Sequence, residues 1–161
     1  MARMNEACGG WVIDLLEVGP TDRVLEVGFG PGVVIQHLSK SASAGYVAGI
    51  DQSQEMVEQA RARNAIAIQN GRVDLCHGSV ERLPFDNDSF DKALAINSIA
   101  GLREMRRGMI SRSRGRVALG FTRYSGQPKE GLTETLVAAG FTDVQAMEQN
   151  DSFFGAVATK P

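Results

Sequence analysis

Residues 24–32, VLEVGFGPG, constrain the fold more than any other part of this chain. Four mostly apolar residues predict a buried strand, and Gly28, Gly30 and Gly32 follow it at alternate positions. Glycine lets the backbone turn sharply and puts no Cβ between the peptide groups and a ligand. Dinucleotide-binding loops use G-x-G-x-x-G instead, and Val33 stands here in place of their third glycine. The segment therefore predicts a strand, a ligand-binding turn and a helix in succession.

A carboxylate, Glu26, lies in this strand two residues before the first glycine. A loop that binds phosphate gains nothing from a negative charge at that place, because like charges repel. A nucleoside that is not held through phosphates meets no such conflict. The combination of Glu26 with the glycines therefore favours a nucleoside site over a phosphate site. The other interpretation open at this point is an ordinary strand-to-helix turn.

The rest of the chain alternates between strand-like and helix-like segments. Strands are predicted at residues 23–27, 46–50, 73–77, 92–97, 116–121, 143–148 and 153–159, and helices at 5–16, 33–40, 54–68, 100–109 and 129–139. Such alternation predicts a parallel sheet covered by helices on both faces. Residues 149–152 are too few for a crossover, so the last strand should run antiparallel. We therefore expect an α/β fold with a Rossmann-like, doubly wound, seven-stranded sheet, as one domain over residues 1–161 with its core at 22–160.

Four motifs in this order resemble those of the class I S-adenosylmethionine-dependent methyltransferases. The pattern E-x-G-x-G-x-G at 26–32 resembles the family's first motif, and GIDQS at 49–53 resembles its second-strand acidic site. Residues 78–91, with GSVERLPF and then DSFD, resemble the signature of small-molecule members such as those of ubiquinone and menaquinone biosynthesis. LREMRR at 102–107 matches their next helix. The resemblance implies S-adenosylmethionine as cofactor, S-adenosylhomocysteine as product and a small molecule as methyl acceptor.

The resemblance also implies a cofactor site at the carboxyl ends of the central strands. It places the glycine turn against the methionine part, with Glu26 ordering this region directly or through water. Asp51 ends the second strand, and its two oxygens can accept hydrogen bonds from both ribose hydroxyls. The alternative role of Asp51 is the N-cap of the next helix. The residues assigned to the cofactor are Glu26, Gly28, Phe29, Gly30, Gly32, Asp51, Gln52, Met56, Ser79, Val80 and Asn97.

Four of these residues would surround the adenine. Gln52 and Met56 would flank it, although the helical spacing of Met56 equally suits a core position. Ser79 stands where many relatives carry an acidic residue that accepts a hydrogen bond from the adenine amino group. Serine accepts without the help of a charge, so recognition would rest partly on the Val80 backbone.

Two stretches depart from the family's pattern. Asn97 ends the fourth strand, where it either contacts the methionine portion or forms a strand-end turn. Residues 97–99 then run almost directly into residues 100–102 at the start of the next helix, whereas relatives have a longer loop that forms one wall of the substrate pocket. The turn at 110–115 lacks the Lys-Pro-Gly-Gly of relatives. The shortened wall keeps a second hypothesis open, namely a cofactor-binding domain with little or no catalysis, or one that needs a partner to complete its pocket.

No residue is identified as catalytic, because transfer from a sulfonium needs mainly alignment and exclusion of water. His37 is expected to be an exposed helix residue, and His77 a strand-end residue. In the loop after the fifth strand, Arg123 and Tyr124 are substrate candidates, as an anion contact and a ring contact, or else plain exposed residues. A nicotinamide-dependent oxidoreductase is a third hypothesis, and Val33 counts against it.

The charge and composition of the chain limit the kinds of partner that it can bind. The formal charge of −2 gives no overall attraction to polyanions, and the six arginines at 103–116 suit a solvated helix end better than a nucleic-acid patch. Cys8 and Cys76 have no metal-ligand or redox spacing, so we expect neither a metal nor a disulfide. The sequence contains no run of about 18 apolar residues, and the lack of a sustained apolar run before Asn5 and Glu6 leads us to expect no signal peptide. We expect a cytoplasmic enzyme that binds a small molecule, no nucleic acid and no membrane, with a homo-oligomer left open.

Overall fold

The computed structural model describes residues 2–110 and 115–161 of the chain. The helices in these ranges are α1 (Ala2–Leu16), α2 (Val33–Ser41), α3 (Gln54–Arg63), α4 (Ala65–Gln69), α5 (Leu102–Gly108) and α6 (Leu132–Ala138). The strands are β1 (Arg23–Val27), β2 (Tyr46–Asp51), β3 (Val73–His77), β4 (Lys92–Ile96), β5 (Arg116–Thr122), β6 (Thr142–Gln149) and β7 (Phe153–Thr159).

The strands form one sheet in the order β3-β2-β1-β4-β5-β7-β6. Strands β1 to β5 run parallel to one another, whereas β7 is antiparallel to both β5 and β6. The predicted doubly wound, Rossmann-like sheet with an antiparallel last strand is confirmed. The chain passes from β1 to β2 and β3 on one side and then returns to β4 on the other side of β1. This reversal opens a crevice at the carboxyl ends of β1 and β4.

Helices cover both faces of the sheet, as predicted. On one face α1, α2 and α3 pack around Val12, Ile35 and Leu38. On the other face α5, α6 and the segment between β3 and β4 pack around Phe90 and Met105. Each of these side chains is at most 1% exposed, and burying one stabilises the fold by about 1.5–3 kcal/mol. The two cores hold β1 and β4 between them and thereby fix the ends of these strands.

One helix prediction is wrong, because residues 54–68 form two helices, α3 and α4, separated at Asn64. The buried Asn64 side chain donates to the carbonyl oxygens of Gly32 at 3.1 Å and Ala60 at 2.9 Å. The apolar spacing continues through this point and carries no sign of a contact with a residue 32 positions away. Helices α5 and α6 also begin later than predicted, because Gly101 and Gly131, with φ of +74° and +84°, precede them.

The described arginines of the 103–116 stretch are engaged mainly with the fold itself. Arg107 donates to two loop carbonyls at 2.9 and 3.1 Å, and Arg116 pairs with Glu17 at 3.1 Å. Arg112, Arg114 and most of the atypical turn lie outside the described residues. These contacts agree with a structural role for Arg107 and Arg116. In the described ranges, no helix is both long and apolar enough to cross a membrane.

Candidate functional site

A cavity of about 350 Å³ lies where β1 and β4 end, in the crevice created by the reversal of strand order. Its walls come from the glycine turn and the start of α2, from the end of β4, and from α1. The lining residues are Asn5, Glu6, Glu26, Gly28, Phe29, Gly30, Pro31, Val33, Val34, Ile96 and Asn97. Two of these are acidic and none is basic. The cavity therefore suits a cationic group better than a phosphate.

A larger cleft, of about 450 Å³, lies between α5 and α6, with Glu81, Arg103 and Thr135 among its lining residues. It contains none of the residues predicted for the cofactor. Ligands of open parallel sheets bind at the carboxyl ends of the strands, at the point where strand order reverses. The smaller cavity is therefore the candidate site.

Glu26 is the buried polar group that most needs a ligand. Strand alternation turns its side chain toward the α1 face together with Val24, while Leu25 and Val27 face the opposite core. It is 2% exposed, and its Oε1 has no hydrogen-bond partner within the described structure. Burial, and secondly the negative charge of Asp51, raise the pKa of Glu26 well above its usual value. A hydrogen-bond donor or a cation in the cavity would supply the missing partner.

The three glycines of the turn have different roles. Gly28 and Gly30 have φ of +74° and +55°, and a Cβ on either would meet no atom within 4 Å, so their surfaces are open to the cavity. A Cβ on Gly32 would lie 2.7 Å from the Cβ of Ala60. The structure therefore places Gly32, which the sequence assigned to the cofactor, against α3, where it permits close packing of α2. The Phe29 side chain is 3% exposed and belongs to the core, although the residue also lines the cavity.

Asp51 connects the end of β2 to the glycine turn. Its Oδ2 accepts a hydrogen bond from the Gly30 amide at 2.8 Å, and its Oδ1 accepts one from the Ser53 amide at 2.9 Å. Ser53, not Asp51, is the N-cap of α3, because its hydroxyl accepts from the Met56 amide at 3.3 Å. Each carboxylate oxygen keeps one further acceptor position. Asp51 thus orders the turn and retains the capacity to accept two more hydrogen bonds.

The predicted adenine residues lie further along the same edge, at the ends of β2 and β3, and outside the 350 Å³ cavity. Gln52 and Ser79 are exposed, whereas Val80 is 5% exposed and packs in the core. Met56 is half-buried and outside both core clusters, which disfavours its core interpretation. His77 Nε2 lies 3.0 Å from the Gln52 carbonyl oxygen and so ties the two strand ends together.

Asn97 forms the strand-end turn that one interpretation of the sequence proposed. Its φ is +61°, and its Oδ1 accepts a hydrogen bond from the Thr122 amide at 2.9 Å. Its Nδ2 donates to Oδ1 of Asn5 at 3.1 Å. The residue also lines the cavity. Its side chain is therefore engaged with the protein, and it offers its remaining surface to a ligand.

Asn5 and Glu6, on the first turns of α1, are lining residues that the sequence did not indicate. Glu6 Oε1 lies 3.2 Å from Nε2 of His37 on α2. No motif marks either residue, because only the packing of α1 across the sheet brings them to the cavity. The helical spacing of α1 predicted the helix but not its position.

The substrate candidates Arg123 and Tyr124 lie in the exposed loop after β5, outside the 350 Å³ cavity that contains Glu26. The Arg123 guanidinium is 4.9 Å from the centre of the Tyr124 ring. Arg123 also lines a separate cavity of about 220 Å³ with Lys129 and Phe153. The structure therefore separates this pair from the Glu26 cavity, although Thr122 connects the loop to Asn97.

Comparison with known proteins settles the family. Residues 24–117, more than half of the 161-residue chain, match the family model described as a methyltransferase domain. The chain belongs to this methyltransferase family. The uncharacterized methyltransferase YdaC of Bacillus subtilis is 28% identical over an alignment of 163 positions, gaps included, which covers 93% of this chain and 88% of that protein. The ubiquinone/menaquinone biosynthesis C-methyltransferase UbiE of Geotalea daltonii is 31% identical over 105 residues, which cover 60% of this chain but only 45% of that protein.

The fold has close counterparts among solved structures. A SAM-dependent methyltransferase from Aquifex aeolicus superposes with a TM-score of 0.80 at 21% identity, over 95% of this chain and 89% of that one. Together with the family match, this confirms the predicted class I S-adenosylmethionine-dependent methyltransferase, and the cofactor of that class is S-adenosylmethionine.

Proposed function

We propose that this chain transfers the methyl group of S-adenosylmethionine to a small-molecule acceptor, with the cofactor bound along the carboxyl edge of β1, β2, β3 and β4. The observation that carries the proposal is the buried carboxyl of Glu26, whose Oε1 has no partner among the described residues and lies in a cavity with no basic side chain in its lining. The methionine part of the cofactor bears an ammonium group, which matches this unpaired acceptor.

The remaining cofactor residues fit the same placement. Asp51 has two free acceptor positions for the ribose hydroxyls and is already held in place by the Gly30 and Ser53 amides.

The adenine would then lie between two pairs of residues, with Gln52 and Met56 on one side and Ser79 and Val80 on the other. Ser79 Oγ accepts from the Glu81 amide at 3.2 Å, so its hydroxyl hydrogen remains free to donate to a ring nitrogen.

The chain's contribution to the reaction is positioning and exclusion of water. When bound, the cofactor would supply an electrophilic methyl group on a sulfonium for transfer to a nucleophile of the acceptor, with S-adenosylhomocysteine as the product. Gly28 and Gly30 leave room for the methionine part, and the apolar side chains of Val33, Val34 and Ile96 keep water from it. A low local dielectric strengthens the attraction between the Glu26 carboxylate and a cation.

No general base is assigned, which agrees with catalysis by alignment. His37 contacts Glu6, and His77 contacts the Gln52 carbonyl oxygen, at 3.2 and 3.0 Å. Each histidine is thus engaged with a neighbouring segment and not with the cavity. Alignment of an acceptor that is already nucleophilic is sufficient for the proposed transfer.

A small acceptor fits the charge distribution better than nucleic acid does. The net charge is −2, Arg107 donates to loop carbonyl oxygens, and Arg116 pairs with Glu17.

We propose Arg123 and Tyr124 as the residues of the loop after β5 that approach the acceptor, as a cation and an aromatic surface. The nearby Lys129 would add a second positive charge, which favours acceptors with an anionic group.

A transfer assay with methyl-labelled S-adenosylmethionine tests the proposal. The acceptors are a panel of small aromatic and carboxylic metabolites, with total RNA as a separate arm. We expect label in a small molecule and none in RNA. Binding of the cofactor without transfer to any acceptor, even when cell extract is added, would favour a cofactor-binding domain with little or no catalysis. Transfer that appears only with extract would favour the need for a partner.

A further inference from the structure

The Asn97 side chain joins three segments that surround the mouth of the cofactor cavity. It lies at the end of β4, accepts from the Thr122 amide at the end of β5, and donates to Asn5 on α1, at 2.9 and 3.1 Å. The Asn97 backbone amide also donates to the Gly120 carbonyl oxygen at 2.7 Å. Thr122 is 1% exposed, so its amide depends on this partner and not on water. Asn97 therefore connects α1 to the start of the acceptor loop, the loop after β5 that carries Arg123 and Tyr124.

Asparagine suits this position for two physical reasons. Its backbone has φ of +61°, a conformation that asparagine and aspartate tolerate better than most residues. Its amide is both donor and acceptor, so one side chain can bond to two different segments. A strand-end turn alone requires only the first property. The second is used here to reach residues 25 positions later and 92 positions earlier in the chain.

The connection matters because the segment after β4 is short. Only five residues, 97–101, separate β4 from α5, so the wall beside Asn97 comes from Asn5 and Glu6 of α1 instead. Helix α1 packs closely on α2 at this end, since a Cβ on Gly9 would overlap the Val34 side chain. The first helix thus takes the place of a β4–α5 wall, and the Asn97 amide holds it there.

We propose that Asn97 is a positioning residue, which holds the first turns of α1 and the start of the acceptor loop against the cofactor cavity. Asn97 orders the wall formed by Asn5 and Glu6, so that the cavity is preformed when the cofactor arrives. This inference rests on the proposed function for its ligand, but the ordering of α1 itself does not depend on any ligand.

The binding test measures the Kd of S-adenosylhomocysteine by calorimetry in four variants. Asn97→Gly keeps the positive φ and removes both side-chain bonds, and Asn5→Ala removes only the bond to α1. We expect Asn97→Gly to raise Kd by about two- to tenfold, because it also removes the partly buried bond to Thr122. Asn5→Ala should raise Kd by about two- to threefold, the low end of that range, because the bond between Asn5 and Asn97 is exposed. Asn97→Asp should restore most of the affinity, because a carboxylate accepts from Thr122 and also from Asn5 once its amide turns over. The double variant Asn5→Ala/Asn97→Gly should bind no more weakly than Asn97→Gly.

Matched controls separate this effect from a general loss of stability. Asn150→Gly makes the same substitution at φ of +49° in the β6–β7 turn, and Asn70→Ala removes an exposed asparagine far from the cavity. Both should bind as the wild type does. Wild-type affinity in Asn97→Gly and Asn5→Ala would overturn the proposal, and so would fully additive effects in the double variant.

A second measurement requires no ligand. Hydrogen exchange of the amides of residues 6–10 should be about two- to tenfold faster in Asn97→Gly than in the wild type, and unchanged in Asn150→Gly. Equal exchange in Asn97→Gly and the wild type would overturn the proposal. If the wild type bound no S-adenosylhomocysteine, the proposed function would fail, and this experiment alone would decide the role of Asn97.

Discussion

At the scale of single residues, the site depends on two carboxyl groups that the fold treats differently. Asp51 is held by two backbone amides, at 2.8 and 2.9 Å, whereas Glu26 is buried and its Oε1 has no partner within the described structure. The negative charge of Asp51 adds to the cost of ionising Glu26. In the free protein, therefore, a buried carboxyl group that is costly to ionise lies where the ammonium group of the cofactor would bind.

Replacing Glu26 should stabilise the free protein in a way that depends on pH. In the unfolded chain Glu26 titrates near 4.5, and in the folded protein its pKa is higher, so well below pH 4.5 the group is protonated in both states. As pH rises above 4.5, the folded state keeps the proton or carries a buried charge, and the free energy of unfolding falls. We expect Glu26→Gln to raise the free energy of unfolding by about 1–3 kcal/mol at pH 7 and by little at pH 4.5.

Urea unfolding at the two pH values measures this difference. Glu17→Gln is the control, because Glu17 is exposed and pairs with Arg116 at the surface. A gain in Glu26→Gln that is equal at both pH values would contradict the buried, unpaired carboxyl. In the same variant, calorimetry should show weaker binding of S-adenosylmethionine, so stability and affinity change in opposite directions.

Removal of the Asp51 carboxylate should directly weaken binding of the cofactor. Asp51→Ala removes the acceptors proposed for the ribose and releases the Gly30 amide, so we expect a loss of about 1–3 kcal/mol in binding free energy. Asp74→Ala is the control, since Asp74 is an exposed carboxylate on the neighbouring β3. Calorimetry with S-adenosylmethionine measures both. If Asp51→Ala leaves the affinity for S-adenosylmethionine unchanged, Asp51 does not bind the ribose.

At the scale of elements, the glycine turn serves packing as well as binding. Gly32 combines φ of +87° with a would-be Cβ 2.7 Å from Ala60, and Asn64 donates to its carbonyl oxygen. These contacts set α2 against α3 and so fix where the turn ends and α2 begins. A sequence pattern shows the glycine, but only the packed helices show which glycine faces the ligand.

Gly32→Ala should therefore destabilise more than the same change at an open glycine. Gly71 has φ of +73° and nothing within 4 Å of its would-be Cβ, so Gly71→Ala carries only backbone strain, about 1–2 kcal/mol. Gly32→Ala adds overpacking of about 1–3 kcal/mol. The free energies of unfolding in urea should differ by the second amount. Equal losses in the two variants would show that α2 and α3 can separate without cost.

The elements differ in how far the sequence predicts them. All seven predicted strands occur within about one residue of their expected bounds, because apolar runs bounded by turn residues are local signals. The break at Asn64 and the late starts of α5 and α6 depend on a distant carbonyl and on glycines with positive φ. The hydrophobic periodicity of the sequence shows neither the distant contact nor the backbone conformation of the glycines, so it predicts the helix bounds less well than the strand bounds.

At the scale of the whole molecule, strand order explains why the site residues meet. Glu26, Asp51 and Asn97 are distant in sequence but lie at or next to the carboxyl ends of three strands that are neighbours in the order β2-β1-β4. The motifs predicted this set, since parallel strands bring their carboxyl ends to one edge. The motifs did not predict Asn5 and Glu6, because the position of α1 follows from its packing on β4 and β5 and not from any local pattern.

The most direct test of the account is a crystal structure of the protein with S-adenosylhomocysteine. We predict that its ammonium group lies within hydrogen-bond distance of Glu26 Oε1, and that both ribose hydroxyls donate to Asp51. The adenine should lie between Met56 and Val80. Density for the ligand in the cleft between α5 and α6, or at the β1–β4 edge with the ribose away from Asp51, would contradict the account.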